Sequence, residues 1–371
     1  MSLRSRLALA TGQSRRDRLW AAMAQTDCQA CGFDCQGLAD ALNRAEVKDP
    51  ARCSPGGAET TLALRNILSP AGEAPPGAAT KPAPSGTATE PSPSGAAIKP
   101  APGPEDGDFL TFLGTGTSYG IPMLGCDCAV CRSDDPRDRR WRSSVLLESR
   151  GQRLLIDAGP DLRAQFLRHQ LSRLDAVFIT HAHADHMMGL DDLRPLSLQG
   201  DRALPIFADP PTAETLRVTF PYIFAQKKRR LGIPWMTLVE ISPGVAFEAA
   251  GMRAMAFEVE HGRGRNLGLR VGDFVYLSDC KRIPERARQV MAGVKWLALD
   301  MLREELHPTH LCLEESRALV RDLGGPRTCY IHMSHEVSHS TVGRHLPPYE
   351  TLAFDGAKFA LGDLLRSALS N

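Results

Sequence analysis

Three histidines and an aspartate crowd into six residues at His181-Ala182-His183-Ala184-Asp185-His186. Imidazole and carboxylate donors suit zinc, manganese or iron. With 11 histidines in 371 residues, such a density is not what a polar loop collects by chance. The apolar run Ala176–Ile179 leads into the motif, and in extended chain residues two apart share a face, so His181 and His183 can grip one ion. A turn, with Gly189 nearby, then aims Asp185 and His186 at a second ion. Six residues cannot fill two coordination spheres. Further donors stand where other apolar runs end: His261 after Phe257-Glu258-Val259-Glu260, Asp279 after Tyr276-Leu277-Ser278, and His332 after Cys329-Tyr330-Ile331. Asp279 is placed to bridge the ions. Asp157, in Leu155-Ile156-Asp157-Ala158-Gly159, is placed behind them to orient a ligand histidine.

Seven of the ten cysteines fall into two further groups. Cys126, Cys128 and Cys131 put three thiolates in six residues, one donor short of a closed tetrahedral zinc site. His335, three residues beyond His332, can supply the fourth if the strand end turns. Near the N-terminus, Cys28, Cys31, Cys35 and Cys53 have spacings that suit either a [4Fe–4S] cluster or a zinc site. Cys280, Cys312 and Cys329 sit singly in apolar surroundings and read as buried packing.

Elements must hold these groups in place. Phe109–Leu113, Leu154–Ile156, Ala176–Ile179 and Phe274–Leu277 read as strands, each followed within a residue or two by Gly, Asp or His. Chemistry at strand ends is the usual arrangement of an α/β enzyme. Residues 69–107 are dominated by Pro, Ala, Gly, Ser and Thr, with Ile98 the one large apolar residue, and read as a disordered, semi-extended linker. The chain therefore divides into 1–68, a linker 69–107, and 108–371. In the first part, Arg15–Gln25 and Gln36–Arg44 carry apolar residues at helical spacing, and Ser54-Pro55 opens a third helix through Leu68. A unit that small needs a staple.

The HAHADH motif, the Asp157-Ala158-Gly159 turn, His261, Asp279 and His332 resemble the metallo-β-lactamase superfamily in order and spacing, over nearly all of 108–371. The resemblance implies an αββα sandwich with His181, His183, His261 and Asp279 holding one divalent ion and Asp185, His186, Asp279 and His332 the other. The run Leu113–Pro122 leading into the three cysteines resembles the phosphodiesterase of bacterial phosphonate breakdown. That likeness implies a structural Cys₃His zinc, hydrolysis of a small or cyclic phosphodiester by water activated at a manganese or zinc pair, and His310 as general acid, with His307 its rival. An imidazole titrates near neutrality, which suits proton donation to a leaving alkoxide. Asp185 is the further catalytic candidate, and Arg263, Arg265 and Lys227–Arg230 are candidate phosphate holders. Residues 7–68 resemble the small iron–sulfur segment of some bacterial sulfite reductase flavoprotein subunits, which implies a [4Fe–4S] cluster and a redox partner. No flavin domain accompanies it here, so the cluster reads as a sensor, a docking module or a fold staple.

Bulk composition narrows the partners. Lys+Arg (44) and Asp+Glu (43) give a net charge of +1, which argues against the basic surface that a tRNA 3′-end nuclease would want. A flavodiiron reductase would carry Glu in place of His183, together with a flavodoxin domain. No apolar run approaches the roughly 18 residues of a membrane span, and the N-terminus lacks the apolar core of a secretion signal. Grouped rather than scattered cysteines point to metal chemistry in a reducing cytoplasm.

Overall fold

A computed structural model of the chain describes residues 14–22, 35–44, 57–68, 107–198, 203–224 and 236–367. Two compact units result, 1–95 and 96–371. In the first, the helices Arg15–Ala22, Cys35–Asn43 and Gly57–Leu68 bury Leu19, Ala22, Leu38, Ala41, Leu42 and Leu64 against one another. The apolar spacing expected over 15–25 is thus used as far as Ala22, and that over 36–44 at Leu38, Ala41 and Leu42, while Met23 lies outside the described residues. The third helix is described only from Gly57, so its expected opening at Ser54-Pro55 lies outside the described residues. Cys28, Cys31 and Cys53, the side chain of Cys35, residues 69–106 of the linker and the Lys227–Arg230 run also lie outside them.

The second unit begins with β1 (Asp108–Gly114), β2 (Ser144–Ser149), β3 (Gln152–Ile156), β4 (Ala176–Phe178), β5 (Leu204–Ala208) and β6 (Met236–Glu240), paired in that order. Strands β1, β2 and β3 run antiparallel, and β3 to β6 run parallel. A second sheet follows: β7 (Ala246–Ala249), β8 (Met252–His261), β9 (Gly264–Val271), β10 (Phe274–Leu277), β11 (Trp296–Asp300), β12 (Arg327–Ile331) and β13 (Glu350–Leu352). It too opens antiparallel, through β10, and closes parallel. The last strand, β14 (Lys358–Gly362), returns to the first sheet beside β1.

Alternation within each strand explains the layering. In β3, Leu154 and Ile156 point between the sheets and meet Ala254, Leu269 and Tyr276 from the other side. Leu155, between them, points outward under Leu162 and Phe166 of the helix Leu162–Arg168. The second sheet does the same: Ala298 faces inward, while Leu297 and Leu299 face Ala287, Met291 and Leu319 of two outer helices. Strands buried on both faces read as unbroken apolar runs, which is why these four were legible in sequence. The result is the expected αββα sandwich.

Candidate metal centre

The parallel strands fix where the chemistry sits. Leu277 of β10 pairs with Leu299 of β11, and Leu299 with Tyr330 of β12. In that register Asp279, Met301 and His332 leave the sheet side by side. Ile156 of β3 likewise pairs with Phe178 of β4, so Asp157 and the segment Thr180–His186 exit together. Three of these exits carry non-glycine residues at positive φ: Asp157 (62°), Asp279 (44°) and His332 (59°). Backbone in that region is costly for an L-residue and is kept where the surroundings over-determine it.

After His183 the chain turns by a short helix, Ala184–Met187, which presents Asp185 and His186. The turn relies on close approach rather than on a positive φ at Gly189. A Cβ on Gly189 would meet the Gly159 carbonyl oxygen at 2.0 Å, and one on Gly159 would meet the Asp185 carbonyl oxygen at 2.1 Å. These glycines let the Asp157–Gly159 and His181–His186 segments press together, sealed by the Ala158 N–H donating to the His186 carbonyl at 2.7 Å.

The ligand atoms of Asp185, His186, Asp279 and His332 lie within 4.8 Å of one another, as do those of His181, His183 and Asp279. Asp279 belongs to both sets. Its Oδ1 lies 3.2 Å from His186 Nε2 and 3.1 Å from His332 Nε2, and its Oδ2 lies 3.8 Å from His181 Nε2 and 3.9 Å from His261 Nε2. His261 groups with Asp279 and His310, its Nδ1 held by the Thr309 carbonyl at 2.9 Å. Burial opposes ionisation of Asp279, but His332 and His186 beside it hold its carboxyl well below the usual range. Burial likewise keeps His181 well below its ordinary value.

Behind the ligands stands a fixed frame. Asp157 Oδ2 sits 2.7 Å from His186 Nδ1, and Asp157 Oδ1 accepts from the Thr180 N–H and hydroxyl at 2.9 and 3.0 Å. The Thr180 Oγ1 in turn lies 2.9 Å from His181 Nδ1. One carboxylate therefore orients a histidine of each set. His310 Nδ1 lies 3.2 Å from Asp300 Oδ2, and its ring stacks on His332 with centroids 4.9 Å apart. That leaves His310 Nε2 as its free nitrogen. His307 is not among the grouped ligand atoms; its Nδ1 is 3.2 Å from the Thr309 hydroxyl.

Cys126, Cys128, Cys131 and His335 form a separate group, also within 4.8 Å. His335 Nδ1 lies 3.2 Å from Cys126 Sγ and 3.4 Å from Cys128 Sγ. The Cys131 N–H holds the Cys128 thiol down to about 6, whereas burial pushes Cys131 up to about 11. Nearby, fully buried Arg140 ties the two chain segments of this knot: it pairs with Asp138 at 2.9 Å and donates to the Ser334 and Val337 carbonyls. Cys280, Cys312 and Cys329 are buried, as expected of packing residues.

A family model for a beta-lactamase superfamily domain matches residues 152–333. A crystal structure of a diphosphatase from the PhnP family is 39% identical, covers 68% of this chain and 96% of its own, and superposes with a TM-score of 0.64. The chain belongs to the metallo-β-lactamase superfamily. An octanoyltransferase of Porphyromonas gingivalis is 36% identical over 247 residues, 66% of this chain and 50% of that protein. A ribonuclease Z of Bradyrhizobium diazoefficiens is 28% identical over 174 residues, 45% of this chain and 54% of the relative. The chain thus spans about half the length of these two curated proteins. Among the described residues no helix is long and apolar enough to cross a membrane.

Metallo-β-lactamase folds imply divalent metal ions, and the donors here fit them. The Nε2 atoms of His186 and His332 are buried without a hydrogen bond although both face carboxylate oxygens. Nitrogens that crowd carboxylates without donating to them are what a shared cation would organise. The knot fits by the same logic, since a tetrahedral cation would take both Cys128 and Cys131 as thiolates despite their opposed shifts. Sequence reasoning passed over Asp300 and Asn266. Asp300 ends β11 and touches His310, and its other oxygen faces His332 Nδ1 at 3.7 Å. Asn266 donates to the Asp279 carbonyl at 2.9 Å and fixes its strained backbone. For Asp300 a signal existed, because Trp296-Leu297-Ala298-Leu299-Asp300 repeats the pattern of Leu154-Leu155-Ile156-Asp157: an apolar strand closed by aspartate.

Proposed function

We propose that residues 108–371 hydrolyse a small phosphodiester at a dinuclear metal centre. The observation that carries the proposal is the Asp300–His310 pair at the rim of a cluster in which Asp279 is common to two ligand sets. His181, His183, His261 and Asp279 would hold one ion, and Asp185, His186, Asp279 and His332 the other. When bound, such a pair supplies activation of water and positive charge opposite the oxygens on phosphorus. The chain's own part is a proton. Asp300 accepts from His310 Nδ1 and so leaves Nε2 to serve as acid. A water oxygen bonds to phosphorus as that water gives one proton to solvent, the bond to the leaving oxygen breaks, and the Nε2 proton passes to that oxygen, His310 regaining a proton from solvent. Arg263 lines the same 620 Å³ cleft as His181, His183 and His261 and is placed to steady a phosphoryl oxygen, whereas Arg265 is spent on Glu258 at 3.2 Å. Cys126, Cys128, Cys131 and His335 would hold a structural zinc. The balanced charge of the chain supports a small substrate over tRNA.

The 39%-identical diphosphatase favours a second reading, cleavage of a phosphoanhydride. The two differ in the leaving group: an alkoxide needs a proton from His310, and a phosphate scarcely does. The metal-loaded full chain would be assayed on alkyl and nitrophenyl diesters, a diphosphate, a monoester, a β-lactam and a thioester. Diesters are expected to lead. His310→Ala should cost about 10²-fold in kcat/KM for an alkyl leaving group and far less for nitrophenolate or phosphate. An equal loss for good and poor leaving groups would contradict the role of His310, and a preference for the diphosphate would install the second reading.

A further inference from the structure

His310 packs on His261 at the edge of the cleft that holds His181 and His183, with ring centroids 4.6 Å apart. It lines a second, smaller cavity of about 280 Å³ with Thr117, Ser118, Tyr119, Arg303 and His307, closed on one side by Met123 and His335. If His310 protonates the leaving oxygen, this cavity lies beside the departing atom and has room for the rest of the leaving group, because the proton and the departing atom share one side of phosphorus. The wall opposite is the cysteine knot itself: Met123 donates its N–H to Cys131 Sγ at 3.3 Å, and His335 lies against Cys126 and Cys128. The knot therefore shapes the space that meets the departing alcohol.

The charges in the cavity decide what fits. Its one guanidinium, Arg303, is fully engaged: Nη1 lies 3.2 Å from Glu336, Nη2 donates to the Leu306 carbonyl and Nε to the Glu305 carbonyl. Glu336 also lines the cavity and cancels that charge. What remains is hydroxyls from Thr117, Ser118, Tyr119 and Ser334, the His307 ring and the Glu336 carboxylate, while the proton that His310 must carry as acid is matched by Asp300. A second anion on the leaving group would meet no uncompensated cation, while an alcohol bearing further hydroxyls would meet donors and acceptors on all sides.

Resting on the phosphodiesterase reading, we infer that this knot-walled cavity is the leaving-group subsite and that it selects an uncharged, hydroxyl-bearing alcohol. Glu336 is its specificity-determining residue. Three methyl phosphate diesters with leaving oxygens of similar basicity test this: those of glycerol, 2-methoxyethanol and glycolic acid. The full-length, metal-loaded wild type should favour the glycerol ester over the methoxyethanol ester by about tenfold in kcat/KM, since a cavity built for hydroxyls penalises their absence. Glu336→Gln frees the Arg303 charge. The glycerol preference should then shrink toward one while the glycolate ester gains about fivefold on the methoxyethanol ester, the reversal of sign being what general damage cannot produce. A wild type indifferent to the three, or a Glu336→Gln variant that changes all three alike, overturns the inference while leaving the phosphodiesterase reading in place. Failure to cleave any of them overturns both.

Discussion

At the scale of single residues, the centre is organised by carboxylates that stand behind the candidate ligands. Asp157 fixes His186 directly and His181 through Thr180, so it holds a ligand of each set. Asp157→Asn keeps the shape but loses an acceptor. Partners behind metal ligands typically contribute 10–100-fold in affinity, so this variant should bind both ions at least about tenfold more weakly, as read by metal titration with elemental analysis. Unchanged affinity for either ion would contradict the shared role. Away from the metals, Asp355 is buried, accepts from Trp141 N–H at 2.6 Å and from the Thr115 hydroxyl at 2.8 Å, and ties the 115–141 segment to the end of the chain. Burial outweighs these bonds and pushes its carboxyl up to about 7 from 3.8. Between those pH values the native protein holds a proton that the unfolded chain has released, so this group's contribution falls as pH rises from about 4 to about 7. Asp355→Asn mimics the protonated form. Its melting temperature should decline less than that of the wild type over that window, and parallel curves would refute the assignment.

At the scale of elements, the parallel strands and the knot do different jobs. Strands β3, β4, β10, β11 and β12 deliver their polar residues at one edge because parallel pairing sets their ends in register. The knot instead joins a loop near β1 to the segment after β12, which carries His332 three residues before His335. Replacing Cys128 with Ser should release one zinc and lower the melting temperature, with the paired ions still bound, since none of their donors comes from the knot. A preparation of the intact protein that holds no metal beyond the pair would remove the structural zinc. The Arg140–Asp138 pair works in the same place; breaking a buried pair of this kind costs about 3–5 kcal/mol by leaving one charge alone.

At the scale of the whole molecule, the expected chemistry of residues 1–68 is independent of that proposed for 108–371. The 39 residues of 69–107 read as a tether, with a root-mean-square span of order 35 Å as a flexible coil. On that reading of its composition, the expected tether would leave the N-terminal cysteines without a built-in part in hydrolysis. Residues 108–371 alone should keep diesterase kcat within a few-fold of the full chain, and residues 1–68 should show the broad brown absorbance of a [4Fe–4S] cluster after anaerobic reconstitution. Activity that switches with the redox state of the full-length protein would refute the independence of the halves. A colourless, zinc-loaded N-terminal unit would replace the cluster with the zinc alternative.

Sequence by itself determined the candidate donors and the strands beneath them. Histidines and aspartates at the ends of apolar runs are a local pattern, and runs buried on both faces stay apolar throughout, so His181 to His186, His261, Asp279 and His332 could be read without coordinates. The partner of each donor was not local. Asp300 lies ten residues before His310 and 32 before His332, and only the parallel pairing of β11 with β12 brings it beneath both. Gly189 was legible as a turn residue, but its reason, a carbonyl 2.0 Å from where a Cβ would stand, exists only once two distant loops pack. The cavity beside His310 is bounded by Thr117, Arg303 and His335, drawn from three separate stretches of the chain. Donor chemistry is written in residue types and short spacing; which side of the centre a substrate enters depends on what the fold sets against it.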